Sequence, residues 1–374
     1  MKEKQQRNAC AVKTSIGGQA LIEGIMMRGP KISALAVRNT KGEIVVEEYE
    51  NKVSKRPRFC RWPVIRGVFN FIDSMAMGYK SLMRSAELSG LEDMIEEDPK
   101  KKEKRAKEVK QTIIAADTVG SSRLTEENGA GEPSAAAEAQ PVEPQEEKIA
   151  SGALTAMMVV ALVIAVVFAV GFFFFVPSAL FELIARFVPF LKGDSAVLNS
   201  LWKSIFEGVF KIILLVGYMG AISFMKDIRR TFMYHGAEHK TIFCYEAGLE
   251  LTVENIRKQR RFHPRCGTSF LILMLLVSIF VSFFIDPISI AIWGSPLSPI
   301  WRTLVRLLLF PIVMGLGYEL IKFAGRHDNV LTRIISLPGV WLQHITVFEP
   351  TDDMIECAIQ AVTRVIPSDQ SDRW

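Results

Sequence analysis

Four apolar segments stand out in the pattern of hydrophobic and polar positions along the chain. About 20 apolar residues in a helix are enough to cross the roughly 30 Å hydrocarbon core of a bilayer. Pro177 follows the first segment and is expected to end its helix, with an amphipathic surface segment after it at 179–191. The pattern predicts an α-helical integral membrane protein with four transmembrane helices. These cover residues 153–176, 205–225, 267–285 and 303–323.

Smaller elements are predicted on both sides of these spans. Residues 33–50 alternate around a turn, which predicts a β-hairpin. Residues 64–83 form an amphipathic helix on the membrane surface or on the bundle, with a re-entrant membrane element as the alternative. Thr351 is a candidate N-cap for an amphipathic helix whose apolar stripe ends at Val362. The fold is therefore four spans with a small α+β N-terminal module and an amphipathic C-terminal helix.

The composition changes sharply between the N-terminal module and the first span. Residues 92–148 combine charge runs with Ala, Glu and Pro, so we expect a disordered linker. The first 30 residues contain no apolar h-region, and no cleavable signal peptide is predicted. Six parts result: a module (1–91), the linker (92–148), two spans (149–225), a basic loop (226–266), two spans (267–326) and a C-terminal segment (327–374).

Basic residues lie mainly beside the apolar segments. Residues 226–266 are rich in Lys and Arg, whereas 286–301 contain none, so the positive-inside rule places 226–266, both termini and all five histidines in the cytoplasm. Arg260, Arg261 and Arg265 are expected to contact anionic lipid headgroups. The net charge of +5 is explained by this topology and does not call for nucleic acid. The expected location is the cell membrane, with the bilayer as partner.

The strongest chemical motif is His235-Gly-Ala-Glu-His239. Histidines four residues apart share one face of a helix and can bind one metal ion. In inverted zincins, H-x-x-E-H supplies two zinc ligands and a glutamate, here Glu238, that takes a proton from water. His263 and Cys266 precede the third span and complete a candidate ligand set for a divalent metal, zinc.

The use of this ligand set stays open. A site closed by four protein ligands is structural, whereas a catalytic site keeps one position for water. Glu246 and Glu319 are alternate ligands. Without a metal, the same residues would bind lipid headgroups or cap helices. The chain has five cysteines and no C-x-x-C, which favours a reducing compartment over a disulfide framework.

A second candidate site lies near the start of the chain. Glu23 and Arg28 stand among glycines that permit close backbone approach, so they could bind a ligand or pair with each other. For Glu23 and Arg28 a structural role is favoured over ligand binding. For the isolated His327 and His344 we expect ordinary surface or capping roles.

Seven segments of the chain resemble the YqhQ family of bacterial multi-pass membrane proteins. That family has no established function and is described as predicted metal-dependent enzymes, which the resemblance extends to this chain. Residues 342–350 depart from the family pattern, so no role is carried over to His344. The matching segments are GGQALIEGIMMRGP (17–30), PVIRG (63–67), YHGAEHKTIFCYEAG (234–248), LTVENIRK (251–258), FHPRCGTSFL (262–271), GYELIKFAGR (317–326) and PGVWLQ (338–343).

Three functions compete on this reading. The first is a metal-dependent hydrolase at the cytoplasmic face, acting on a lipid-linked or membrane-peptide substrate. The second is a scaffold or assembly factor whose metal is structural. A transporter ranks last, because Glu207, Lys211 and Glu319 are expected toward the helix ends rather than at mid-membrane.

Overall fold

The computed structural model describes residues 12–51, 57–90, 145–188, 191, 195–327 and 329–373. It divides into two compact units, residues 1–91 with 173–374, and residues 92–172. The strands are β1 (Gly17–Leu21), β2 (Gly24–Arg28), β3 (Ile32–Arg38) and β4 (Ile44–Glu50). The helices are α1 (Ile65–Leu88), α2 (Gln145–Phe187), α3 (Ala196–Ser223), α4 (Lys226–Glu246), α5 (Val253–Arg257), α6 (Gly267–Trp293), α7 (Pro299–Arg326), α8 (Val330–Thr346) and α9 (Asp352–Val365).

Four of the described helices are long and apolar enough to cross a membrane: Val163–Phe187 within α2, and all of α3, α6 and α7. The four predicted apolar helices are thus confirmed as helices, and each runs further than expected. Pro177 lies inside α2 instead of ending it, so the surface segment expected at 179–191 is wrong as far as Phe187. One lost hydrogen bond is tolerated in an apolar helix when neighbouring turns and helices satisfy the freed carbonyl. Pro287 in α6 and Pro311 in α7 are accommodated in the same way.

The N-terminal strands form one antiparallel meander in the order β1-β2-β3-β4. The predicted hairpin at 33–50 is confirmed as β3 and β4. The first two strands were not predicted, because their glycines gave residues 17–30 the pattern of a loop. Glu23, in the β1–β2 turn, has a φ of +52°. That left-handed conformation is uncommon for a residue with a Cβ.

Both faces of the sheet are buried, since side chains alternate along each strand. Ala34 and Ala36 of β3 face a core built with α4 and α9. Leu35 and Val37 face the opposite side, where Met77 of α1 packs. The amphipathic helices at 64–83 and after Thr351 therefore cover a sheet. The re-entrant alternative for the first finds no support, because α1 is not among the four helices apolar enough to span.

Residues 226–266, which connect the second and third apolar helices, are largely helical. Lys226–Glu246 and Val253–Arg257 are helical, and only the residues around them connect elements. The helix Val330–Thr346 was also not predicted, because its apolar and polar positions are interrupted by Pro338. The linker expected at 92–148 lies outside the described residues, apart from its last four, which begin α2.

A cluster of charged side chains is buried between α3, α6 and α7. Glu207 accepts hydrogen bonds from Arg306 at 2.7 Å and Arg302 at 3.4 Å. Arg302 also pairs with Asp286 of α6, and Lys211 lies over the ring of Phe174. Glu207 lies in the middle of α3, so the expected placement of Glu207 toward a helix end is wrong. A buried charge in an apolar bundle requires partners on neighbouring helices.

Candidate metal centre

Helix α4 carries the H-x-x-E-H motif, and its second half is buried from Tyr234 to Cys244. One face packs on the sheet and on α9 in the shared core. Gly236 lets the following chain approach, because a Cβ there would lie 2.0 Å from the carbonyl oxygen of Phe348. This close contact brings the end of α8 against the motif.

The two histidines of the motif are held in the same way. The Nδ1 of His235 lies 3.0 Å from the carbonyl oxygen of Thr346, and the Nδ1 of His239 lies 2.6 Å from that of Arg261. A carbonyl only accepts, so each Nδ1 carries a proton and each Nε2 is the nitrogen that a metal could bind in the neutral form of the ring. Backbone or carboxylate acceptors of this kind orient histidine ligands in metal proteins.

Cys266 stands at the N-cap of α6 and supplies a third donor. Its Sγ lies 3.0 Å from the Nε2 of His235 and accepts from the backbone N–H of Thr268 at 3.4 Å. Burial would raise the pKa of the Cys266 thiol, but the imidazoles of His235 and His239 hold that pKa well below its usual range. The thiolate, which binds metals, is therefore the favoured form.

The three donors converge on one point. One ligand atom each from His235, His239 and Cys266 lies within 4.8 Å of the other two. The Nε2 of His239 is buried and has no hydrogen-bond partner among the described residues. An orphaned buried nitrogen is costly unless a ligand satisfies it. Two neutral imidazoles and a thiolate fit zinc, and three protein ligands are the number of a catalytic site.

His263 and Glu246 lie beside this set and not within it. The ring centroid of His263 is 5.5 Å from that of His239, yet its Nδ1 accepts from the N–H of Arg265 and its Nε2 lies 3.9 Å from Glu246. Burial lowers the pKa of His263 to about 4. Burial would raise the pKa of Glu246, but contacts with His263 and Arg265 lower it to about 2. This group forms its own ion-paired layer next to the three donors.

Glu238 is buried on the same helix. Burial raises its pKa, while the imidazoles of His235 and His239 oppose the shift. The backbone of β1 bounds the carboxylate, since a Cβ on Gly18 would lie 2.9 Å from the Cγ of Glu238. Gly18 in turn lines a cavity of about 730 Å³ between the sheet and α1. Gly18 therefore lies between the Glu238 side chain and a cavity that a ligand could enter.

The other predicted residues lie elsewhere. Glu319 hydrogen-bonds Arg66 of α1 at 2.6 Å, and Glu23 pairs with Arg230 of α4. Glu23 and Arg28 thus do not pair with each other, and Arg28 lines the cavity beside Gly18. The last two histidines, His327 and His344, are exposed and contact the backbone of their own helices or neighbouring phenylalanines.

Sequence reasoning missed the residues that hold the donors in place. Gln343 of α8 accepts from the backbone N–H of His263 and donates to its carbonyl, both at 2.7 Å. Thr346 and Arg261 act through their carbonyl oxygens, which leave no trace in the sequence. Of these residues only Gln343 could have been noticed in the sequence, as an amide within an otherwise apolar stretch.

Comparison with known proteins gives one relative and one family. The chain is 31% identical over 358 residues to the uncharacterized protein YqhQ of Bacillus subtilis (strain 168), covering 95% of this chain and 93% of the relative. No solved structure matches. The family model described as a protein of unknown function (DUF1385) matches residues 62–368. The resemblance inferred from the seven segments is confirmed, and the chain belongs to the YqhQ family, DUF1385.

Proposed function

We propose that this protein is a metal-dependent hydrolase that acts at the cytoplasmic face of a membrane. One observation carries the proposal: the buried Nε2 of His239 has no hydrogen-bond partner among the described residues, and it lies with the donor atoms of His235 and Cys266 within 4.8 Å of one another. Side chains that only packed against one another, with no metal between them, would not leave that nitrogen orphaned. A cysteine nucleophile paired with His235 would not need His239 at all.

The residues divide into ligands and a base. His235, His239 and Cys266 would hold a divalent metal, zinc by the nature of the donors. A bound zinc supplies Lewis acidity, which makes water reactive near neutral pH. Glu238 would take the proton from the attacking water, since burial raises the pKa of its carboxyl group and so makes the carboxylate a better base.

A structural metal is the second candidate. It is supported by burial, because the three donor side chains are each less than one-tenth exposed. In that case the protein is a scaffold or assembly factor in which the metal fixes α4 against the start of α6. The two candidates differ in what Glu238 does, since only the hydrolase needs its carboxylate.

Metal content tests whether the centre exists. We expect the purified protein to hold about one zinc per chain and His239→Ala to lose it, because a two-donor site binds zinc far more weakly. His344→Ala is the matched control, since that histidine is exposed and outside the centre. Plasma mass spectrometry on both proteins gives the stoichiometry. A wild-type protein free of metal, yet inactivated by alkylation of Cys266, would replace the proposal with a thiol nucleophile.

The same preparations separate the two uses of the metal. Glu238→Gln should retain zinc and lose complementation of a deletion strain. Gly18→Ala should weaken complementation, because its Cβ would crowd Glu238 as well as Met26 and Met27 of β2. Gly17→Ala is the control, since no atom lies within 4 Å of its added Cβ. A fully active Glu238→Gln protein with normal zinc content would favour the structural metal.

The orientation is part of the proposal and rests on the distribution of basic residues. Lys and Arg are frequent at 226–266 and absent from 286–301, so we expect the centre and both termini on the cytoplasmic side. Cysteine-scanning with an impermeant maleimide in intact cells should label a residue introduced at 295 and leave one introduced at 259 unlabelled. The opposite pattern would move the centre outside the cell.

A further inference from the structure

A second cavity lies on the far side of His263 from the three donors. Its volume is about 680 Å³, and its wall combines the end of α4, the segment 260–265, the last turn of α7 and the first turns of α8. His263 belongs both to this wall and to the ring contact with His239. The cavity is therefore separated from the candidate metal centre by one imidazole.

The described wall carries excess positive charge. It includes the cations Lys13, Arg260, Arg265 and Arg333, against the single carboxylate of Glu246. That carboxylate is already engaged by Arg265. Arg260 pairs with no carboxylate among the described residues, and its guanidinium is held over the ring of Phe243 at 4.3 Å. A fixed guanidinium without an anion is suited to a ligand phosphate.

The N-terminus of helix α8 adds further positive charge to the cavity. Its first turn faces the cavity, with Thr332 and Ser336 in the wall. The helix is 17 residues long, so the partial positive charge of its N-terminus adds to that of the side chains. A capping box with Asn329 already engages the hydroxyl and the backbone N–H of Thr332, so the hydroxyl of Ser336, the guanidinium of Arg260 and the other N–H groups of the first turn are the candidate ligands of a phosphoryl group.

The cavity lies where headgroups would be if the apolar helices are in a bilayer. Gly325 in its wall belongs to the last turn of α7, one of the four candidate spans. On α8, Ile334, Leu337 and Trp341 are exposed and form an apolar face beside the cavity. An exposed apolar face next to a cationic recess is typical of a helix at the membrane interface.

We propose that this cavity binds a phosphoryl group carried by a lipid headgroup or by a small phosphorylated compound. This deepens the proposed function, on which it rests in taking the bound group as part of the substrate. The phosphoryl group would be held by Arg260 and by the start of α8, while the remainder of the ligand extends past His263 toward the donors.

Binding to purified detergent-solubilised protein tests the proposal without requiring turnover. Short-chain phosphatidate represents the headgroup and glycerol 3-phosphate the small compound, with short-chain diacylglycerol as the uncharged comparison. We expect Arg260→Gln to weaken binding of the phosphorylated probe roughly tenfold, as for loss of one charge-assisted contact. Lys258→Gln is the control, because Lys258 lies two residues before Arg260 but pairs with Glu254 outside the cavity.

Each outcome has one meaning. Binding of phosphatidate alone identifies a lipid headgroup, and equal binding of glycerol 3-phosphate identifies a small compound; both support the cavity. Equal loss in Arg260→Gln and Lys258→Gln, or no preference over diacylglycerol, overturns it. Zinc content measured on the same proteins keeps the two proposals apart, since Arg260→Gln should retain its metal even when phosphate binding is lost.

Discussion

Glu207→Gln is expected to lower the free energy of unfolding by about 3–5 kcal/mol, the usual cost of breaking a buried ion pair. Glu207 is 1% exposed and receives hydrogen bonds from Arg302 and Arg306. Glutamine keeps the shape and removes the charge, so Arg306 would lose the carboxylate it pairs with and Arg302 would keep only Asp286 among the described residues. Reversible unfolding in mixed micelles, followed by circular dichroism, measures the loss.

Glu182→Gln is the matched control for this substitution. Glu182 is ion-paired as well, with Lys203 at 2.7 Å, but its side chain is 60% exposed. Exposed pairs contribute about 0–1 kcal/mol, so little change is expected. A double variant, Glu207→Gln with Arg306→Gln, should recover part of the loss because the uncompensated charge is gone. Equal effects of Glu207→Gln and Glu182→Gln would mean that the buried cluster carries no special stability.

The second large effect is expected at Gly236. In Gly236→Ala the new Cβ would lie 2.0 Å from the carbonyl oxygen of Phe348, an atom fixed by the backbone. The chain after α8 must then withdraw from α4, and Thr346 withdraws with it from His235. We expect at least about 3 kcal/mol of destabilisation, the upper part of the usual range for overpacking. Loss of zinc should accompany it.

Gly217→Ala provides the comparison, because this substitution is expected to stabilise the protein. No atom lies within 4 Å of a Cβ at Gly217, which is in the middle of helix α3. Alanine in a helix interior is favoured over glycine by roughly 0.5–1 kcal/mol, so a small gain is expected. Thermal unfolding of both proteins, with zinc measured before heating, gives the two values. A Gly236→Ala protein as stable as wild type would show that the approach of Phe348 to α4 is not required.

The sequence predicted those features that lie within one stretch of chain. Four apolar helices follow from run length, and His235 and His239 share a face because helical geometry places residues four apart together. Contacts between distant segments were not predictable in this way. The partners of Glu207 lie 95 and 99 residues further on. Pro177 was expected to end its helix because the cost of a proline inside a helix depends on neighbours that a sequence does not show.

Contacts between distant segments were equally unpredictable around the candidate metal centre. His263 and Cys266 were equally plausible ligands, but only Cys266 faces the two histidines of α4. His263 is held away from this point by two residues. Gln343 binds its backbone and Glu246 lies beside its ring. Such a choice depends on packing between α4, α6 and α8, which no spacing rule encodes.

The order in which the chain is synthesised gives the buried charges a further meaning. Helix α3 leaves the ribosome carrying Glu207 well before Arg302 and Arg306 exist. During that interval a lysine four residues away in the same helix, Lys203 or Lys211, is close enough to shield the carboxylate. Helices α6 and α7 bring Asp286 and Arg302 together as one hairpin with a short connection, so these charges can enter the bilayer already paired. The temporary partner would then be exchanged for the permanent ones, which makes completion of the hairpin the step that fixes α3 in place.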